Sequence, residues 1–143
     1  MSNDDPFNLQ RFIDAQDPVF EDVCDELRRG CKTSHWMWFI FPQIQGLGHS
    51  HMAMKFAISS LEEAKTYLRH PVLRDRLLKC TELVNQVPGR GIQQILGYPD
   101  DLKFRSSMTL FAKADPSMTV FNDALAKYFG GEYDRATLDL LII

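Results

Sequence analysis

The chain has 143 residues, 45% of them hydrophobic and 24% charged, and carries a net charge of −3. That balance excludes a disordered, collagen-like or low-complexity chain. The acidic sign argues against a nucleic-acid binder held by overall basicity. The longest apolar run, residues 36–41, falls far below the ~20 residues of a membrane helix, so no membrane partner is expected.

One globular domain over residues 1–143 is expected at this length, with residues 1–6 as a disordered tail and a monomer as the default state. The opening Met1-Ser2-Asn3-Asp4-Asp5 is acidic where a secretory leader needs a basic start. Cys24, Cys31 and Cys80 are odd in number and form no C-x-x-C pair. Both features lead to an expectation of a cytoplasmic protein.

Helix punctuation dominates the chain. Asp17-Pro18 reads as an N-cap with proline in the first turn, and Gly30 as the stop. Between them Phe20, Val23, Cys24 and Leu27 share one helical face. Ser60 and Glu63 read as a capping box. His70-Pro71 ends that helix and begins another, in which Leu73, Leu77, Cys80, Val84 and Val87 recur at helical spacing. A short helix over 92–96 closes at Gly97. The next begins near Asp100 and lines up Phe104, Met108 and Phe111. Asp115-Pro116 repeats the Asp-Pro start, Gly130-Gly131 is the stop, and Asp134 caps a last helix over 136–142. No hairpin turn or clean alternation appears. The expected fold is all-α: six to eight short helices that do not form a regular four-helix bundle.

Two segments exceed ordinary core chemistry. Residues 34–43 read Ser-His-Trp-Met-Trp-Phe-Ile-Phe-Pro-Gln. The aromatic run is a large burial payload, and Gly46 and Gly48 are expected to supply positive φ in the turn beyond it. Ser34, His35 and Gln43 would stand at the rim of this aromatic wall, as polar groups do in small-ligand pockets. The second segment begins Asp100-Asp101-Leu102-Lys103. On a helix Lys103, Ser106 and Ser107 share a side, and a lysine with two hydroxyls suits a phosphate or carboxylate.

These runs, with Gly46-Leu47-Gly48, Leu61-Glu62-Glu63-Ala64, His70-Pro71-Val72-Leu73 and residues 105–111 (Arg-Ser-Ser-Met-Thr-Leu-Phe), closely resemble the domain-of-unknown-function 1810 family. The likeness extends from about Leu9 to Leu141. The resemblance implies an all-α fold and no established activity. Cys31 and Thr33 depart from the basic residues that members usually carry around Lys32. The label "calpastatin" borne by some members does not suit this chain. A calpain inhibitor of that type is a disordered repeat, whereas this is a patterned globular domain without a repeat.

The function expected from the two segments is binding of a nucleotide or other phosphate-containing small molecule. Its ligand residues would be Ser34, His35, Trp36, Gln43, Lys103, Ser106 and Ser107. A hydrolase of N-glycosidic or phosphate bonds is one alternative, with His35, Asp100 or Asp101 as catalytic candidates. A structural or protein-interaction module is the other. No cofactor is implied. No metal site is expected, because His49 and His51 lack further local ligands. Arg69, Arg74, Arg76 and Lys79 are diluted by Asp75 and Glu82, which leaves nucleic acid disfavoured.

Overall fold

The computed structural model describes residues 5–142. Residues 1–4 of the expected tail lie outside the described residues. Asp5, within that tail, accepts the Leu9 and Gln10 backbone N–H groups at 2.7 and 2.9 Å and so tethers the first helix.

Ten helices account for the regular structure of the described residues. They are α1 (Gln10–Gln16), α2 (Phe20–Arg28), α3 (Met37–Ile40), α4 (His51–Lys55), α5 (Leu61–Arg69), α6 (Pro71–Asn85), α7 (Ile92–Leu96), α8 (Asp100–Ala114), α9 (Val120–Phe129) and α10 (Arg135–Leu141). The all-α expectation holds. The count exceeds the expected six to eight because α1, α3 and α4 are short and weakly patterned. Among the described residues the strand-like contact is one isolated parallel bridge between Ile44 and Ile58.

Four helices close a ring. α8 packs on α9, α9 on α6, α6 on α5, and α5 back on α8. The members differ in length, from 9 residues in α5 to 15 in α6 and α8. The other helices clad the ring: α2 lies on α6, and α7 and α10 lie on α8.

Aromatic rings run through the core in two lines. One passes from Phe39 through Phe56, Phe12, Tyr67 and Phe111 to Phe121, with centroid spacings of 5.1–5.8 Å. The other passes from Trp36 through Phe41 and Phe104 to Phe129. Spacings and tilts of this kind suit the quadrupoles of packed rings. Phe41 meets Phe104 edge-on at 5.0 Å, which joins the two segments singled out in the sequence.

Several boundaries correct the sequence reading. Neither Asp-Pro pair starts a helix. Asp17 closes α1, and α2 begins three residues later with Val19 as its cap. Asp115 closes α8, and its carboxylate accepts the Ser117 N–H in the turn before α9. Proline ends each preceding run because it lacks the N–H that the ladder needs. Ser60 caps α5 as expected, but Glu63 turns instead to the Ser59 N–H and hydroxyl. Gly46 has the expected positive φ of 108°, whereas Gly48 does not. Gly48 is required for space, since a Cβ there would stand 2.7 Å from the Ala53 Cβ.

Candidate functional site

The loop between α2 and α3 builds the first half of the site. Gly30 turns the chain in the left-handed region at φ 68°, and a Cβ there would lie 2.9 Å from Val87 Cγ1. The Lys32 N–H then donates to the Ile95 carbonyl at 2.7 Å, which fastens the loop to α7. Beneath the loop lies Glu26 of α2, 4% exposed. Its carboxylate accepts the Thr33 N–H at 2.8 Å, the Ser34 N–H at 3.1 Å, the Ser34 hydroxyl and the Trp36 indole N–H at 2.9 Å. Burial alone would raise the carboxyl's pKa. These bonds more than reverse that and lower it from 4.5 to about 2.

The second half is the first turn of α8. Asp100 joins two cations. Lys32 Nζ stands 2.9 Å from Oδ2, and Lys103 Nζ stands 3.4 Å from Oδ1. Each ammonium also lies over an indole: Lys32 is 5.1 Å from the Trp36 ring centre and Lys103 5.5 Å from that of Trp38. The two lysines differ in exposure. The Lys32 side chain is 8% exposed and the Lys103 side chain 29%. Trp36 is buried, whereas Trp38 is partly exposed.

The expected ligand residues are thus divided among several tasks. Ser34 and Trp36 are bound to Glu26. Ser106 donates toward the Asp134 carboxylate at 3.1 Å and the Leu102 carbonyl at 3.2 Å, which ties α8 to the start of α10. Ser107 is fully buried, and its hydroxyl has no partner among the described residues. Gln43 accepts the Ile58 N–H through its backbone and, with Trp38, lines a cavity of only about 10 Å³. His35 is exposed. Asp101 is buried at the helix start, and its Oδ1 has no partner among the described residues. A larger groove of about 680 Å³ lies elsewhere, between Gln45–Gly46, Ser59–Glu62 and Leu140–Leu141.

Two participants were missed by sequence reasoning. Glu26 lies on the buried stripe of α2 with Val23 and Leu27, and an acid on an apolar face was the available signal. The pairing of Lys32 with Asp100 spans distant parts of the chain, and no local pattern announces it.

Among the described residues no group of three His, Cys, Asp or Glu side chains is gathered as metal ligands would be. No described helix is long and apolar enough to cross a membrane.

The architecture is that of a small all-helical protein whose α2–α3 loop is joined to the start of α8 by the Lys32–Asp100 ion pair. The chain belongs to the DUF1810 family of proteins of unknown function, whose model matches residues 6–141. It is similar to a conserved hypothetical protein from Mycobacterium tuberculosis, known from a crystal structure at 1.38 Å. The two are 57% identical, the match covers 97% of this chain and 99% of that one, and the TM-score is 0.96. No curated protein matches the chain.

Proposed function

We propose that the chain is a binding domain for a small anionic ligand, a nucleotide or a related phosphate compound, received at Lys103 and Trp38. The observation that carries this reading is the inequality of the two lysines on Asp100. Lys32 is the closer partner at 2.9 Å and is nearly buried, while Lys103 is looser at 3.4 Å and more exposed. Asp100 is therefore largely neutralised from the interior side. The Lys103 ammonium keeps donors for an incoming phosphate oxygen, since an ammonium has three. The partly exposed Trp38 ring beside it offers a face for a base or sugar.

A second reading has its own support. Glu26 takes up Ser34 and Trp36, and Asp134 takes up Ser106. Three of the expected ligand residues are thereby engaged in holding the fold, which favours a structural or protein-interaction module.

A thermal-shift series with AMP, ADP, NAD, ribose 5-phosphate and inorganic phosphate separates the two. A ligand at 100 times its Kd stabilises by ~2.7 kcal/mol, enough to raise Tm by several degrees. The binding reading expects such a rise in the wild type and its loss in folded Lys103→Ala. An unchanged Tm across the series supports the structural reading. Conversion of a stabilising compound during incubation would support the hydrolytic alternative.

A further inference from the structure

We infer that His49, His51 and Met54 form a binding site for a soft monovalent metal ion, Cu(I), where the chain enters α4. This inference goes beyond the ligand site at Lys103 and Trp38 and does not depend on it. The expectation of no metal rests on the lack of cysteine or carboxylate ligands beside the two imidazoles. A methionine thioether is a ligand of another kind, and α4 carries one there.

Two independent constraints bring the three residues together. The first is the helix. Ser50 caps α4: its hydroxyl accepts the Ala53 N–H at 3.1 Å, and its carbonyl accepts the Met54 N–H at 2.9 Å. His51 is the first residue of that helix and Met54 the fourth. Side chains three apart on a helix are neighbours, with ~5–6 Å between their Cβ atoms. The second constraint is the loop. Gly48 lies so close to α4 that a Cβ on it would stand 2.7 Å from the Ala53 Cβ. His49 follows Gly48 and Met54 follows Ala53, and both line one cavity of about 210 Å³. Met54 is thus paired with each histidine.

Exposure separates Met54 from the other methionine of α4. Met52 packs against the core, whereas Met54 is 65% exposed. Both histidines are exposed as well. A thioether on three rotatable bonds adapts its position readily, so the Met54 sulfur can meet an ion held by the imidazoles.

The donor set selects the ion. A thioether is a soft ligand that favours Cu(I), and imidazole suits copper too. All three donors are neutral, so they offset none of a bound ion's charge. The exposed Lys55 beside Met54 adds a positive charge of its own. Both features favour a monovalent ion over a divalent one. Zinc would further need a closed tetrahedral set, and among the described residues no group of three His, Cys, Asp or Glu is gathered.

The test uses the full chain carrying Cys31→Ser, because Cys31 is an exposed free thiol that would compete for the metal. Its six methionines are labelled with carbon-13 at the methyl group, and Met54→Leu assigns the Met54 signal. Cu(I), kept reduced with ascorbate under nitrogen, is titrated to equimolar amounts, with silver nitrate in chloride-free buffer as a redox-inert counterpart. The expected result is a saturable shift of the Met54 methyl signal with both ions, and none with zinc. The ring signals of His49 and His51 should move with the same midpoint. In His49→Ala with His51→Ala, the midpoint should rise on the order of tenfold or more, since loss of even an outer-shell partner weakens metal binding that far. An unmoved Met54 signal with Cu(I) overturns the proposal, whatever silver does. So does a shift that is unchanged in the double variant, or an equal response to zinc. Circular dichroism checks each variant. If the double variant unfolds, the shared midpoint of the Met54, His49 and His51 signals decides.

Discussion

The indole N–H of Trp36 donates to the Glu26 carboxylate at 2.9 Å, across ten residues of chain. This bond fixes the most buried tryptophan to the interior of α2. The same carboxylate holds the backbone of Thr33 and Ser34. One acid therefore sets the whole loop that carries Lys32 toward Asp100.

Glu26→Ala is expected to destabilise the fold by about 3 kcal/mol, because it leaves the Trp36 and loop donors without an acceptor. Glu26→Gln keeps one acceptor oxygen and should cost less. Urea unfolding of the two variants beside the wild type checks the order. Equal stability of all three would contradict the role given to Glu26.

The same group sets a pH dependence. Its folded pKa of about 2 lies below its ordinary 4.5. The stabilisation is fully present above the unfolded value and is lost as pH falls from about 4.5 toward 2. A loss on the order of 2 kcal/mol is expected over that window, after allowing for solvent screening. In Glu26→Gln this part of the acid transition should disappear. Denaturant midpoints measured from pH 6 to pH 2.5 read it directly.

Arg11 is expected to tolerate little change. Its guanidinium donates to the Phe7, Asn8, Lys55 and Ala57 carbonyls and to the Glu63 carboxylate at 3.0 Å. A lysine has no planar fork to meet so many acceptors at once. Arg11→Lys should therefore cost about 2 kcal/mol, and Arg11→Ala more, since Glu63 would remain buried without its cation. Thermal unfolding of both variants tests the ranking.

The two lysines on Asp100 should separate stability from binding. Lys32→Ala removes the nearly buried cation and is expected to destabilise by about 1–3 kcal/mol. Lys103→Ala removes a longer, more exposed pairing and should cost less than ~1 kcal/mol. Comparable losses in the two variants would contradict the division of roles drawn between them.

Much of the helical order is legible from punctuation and period. His70-Pro71, Gly97 and Gly130 stand where helices end, and Ser60 and Asp134 cap as their residue types suggest. The short elements escape that reading for a physical reason. α3 has four residues and α4 five, so neither completes enough turns to display a stripe. The side-chain assignments were harder still. Ser106 is i+3 to Lys103 on α8, and spacing alone makes them neighbours. Asp134, 28 residues further on, draws the serine hydroxyl to α10. The ligand residues expected from the sequence thus serve several distant partners, and only tertiary contacts reveal which.

The most direct measurement is a titration of tryptophan fluorescence with AMP. The chain has two tryptophans, and Trp36 is 1% exposed, so a bound ligand reports chiefly through Trp38. The binding account predicts a saturable change in the wild type that is lost in folded Lys103→Ala and in Trp38→Phe. A saturable change that persists unaltered in Lys103→Ala, or no saturable change with AMP, NAD or ribose 5-phosphate, would contradict it.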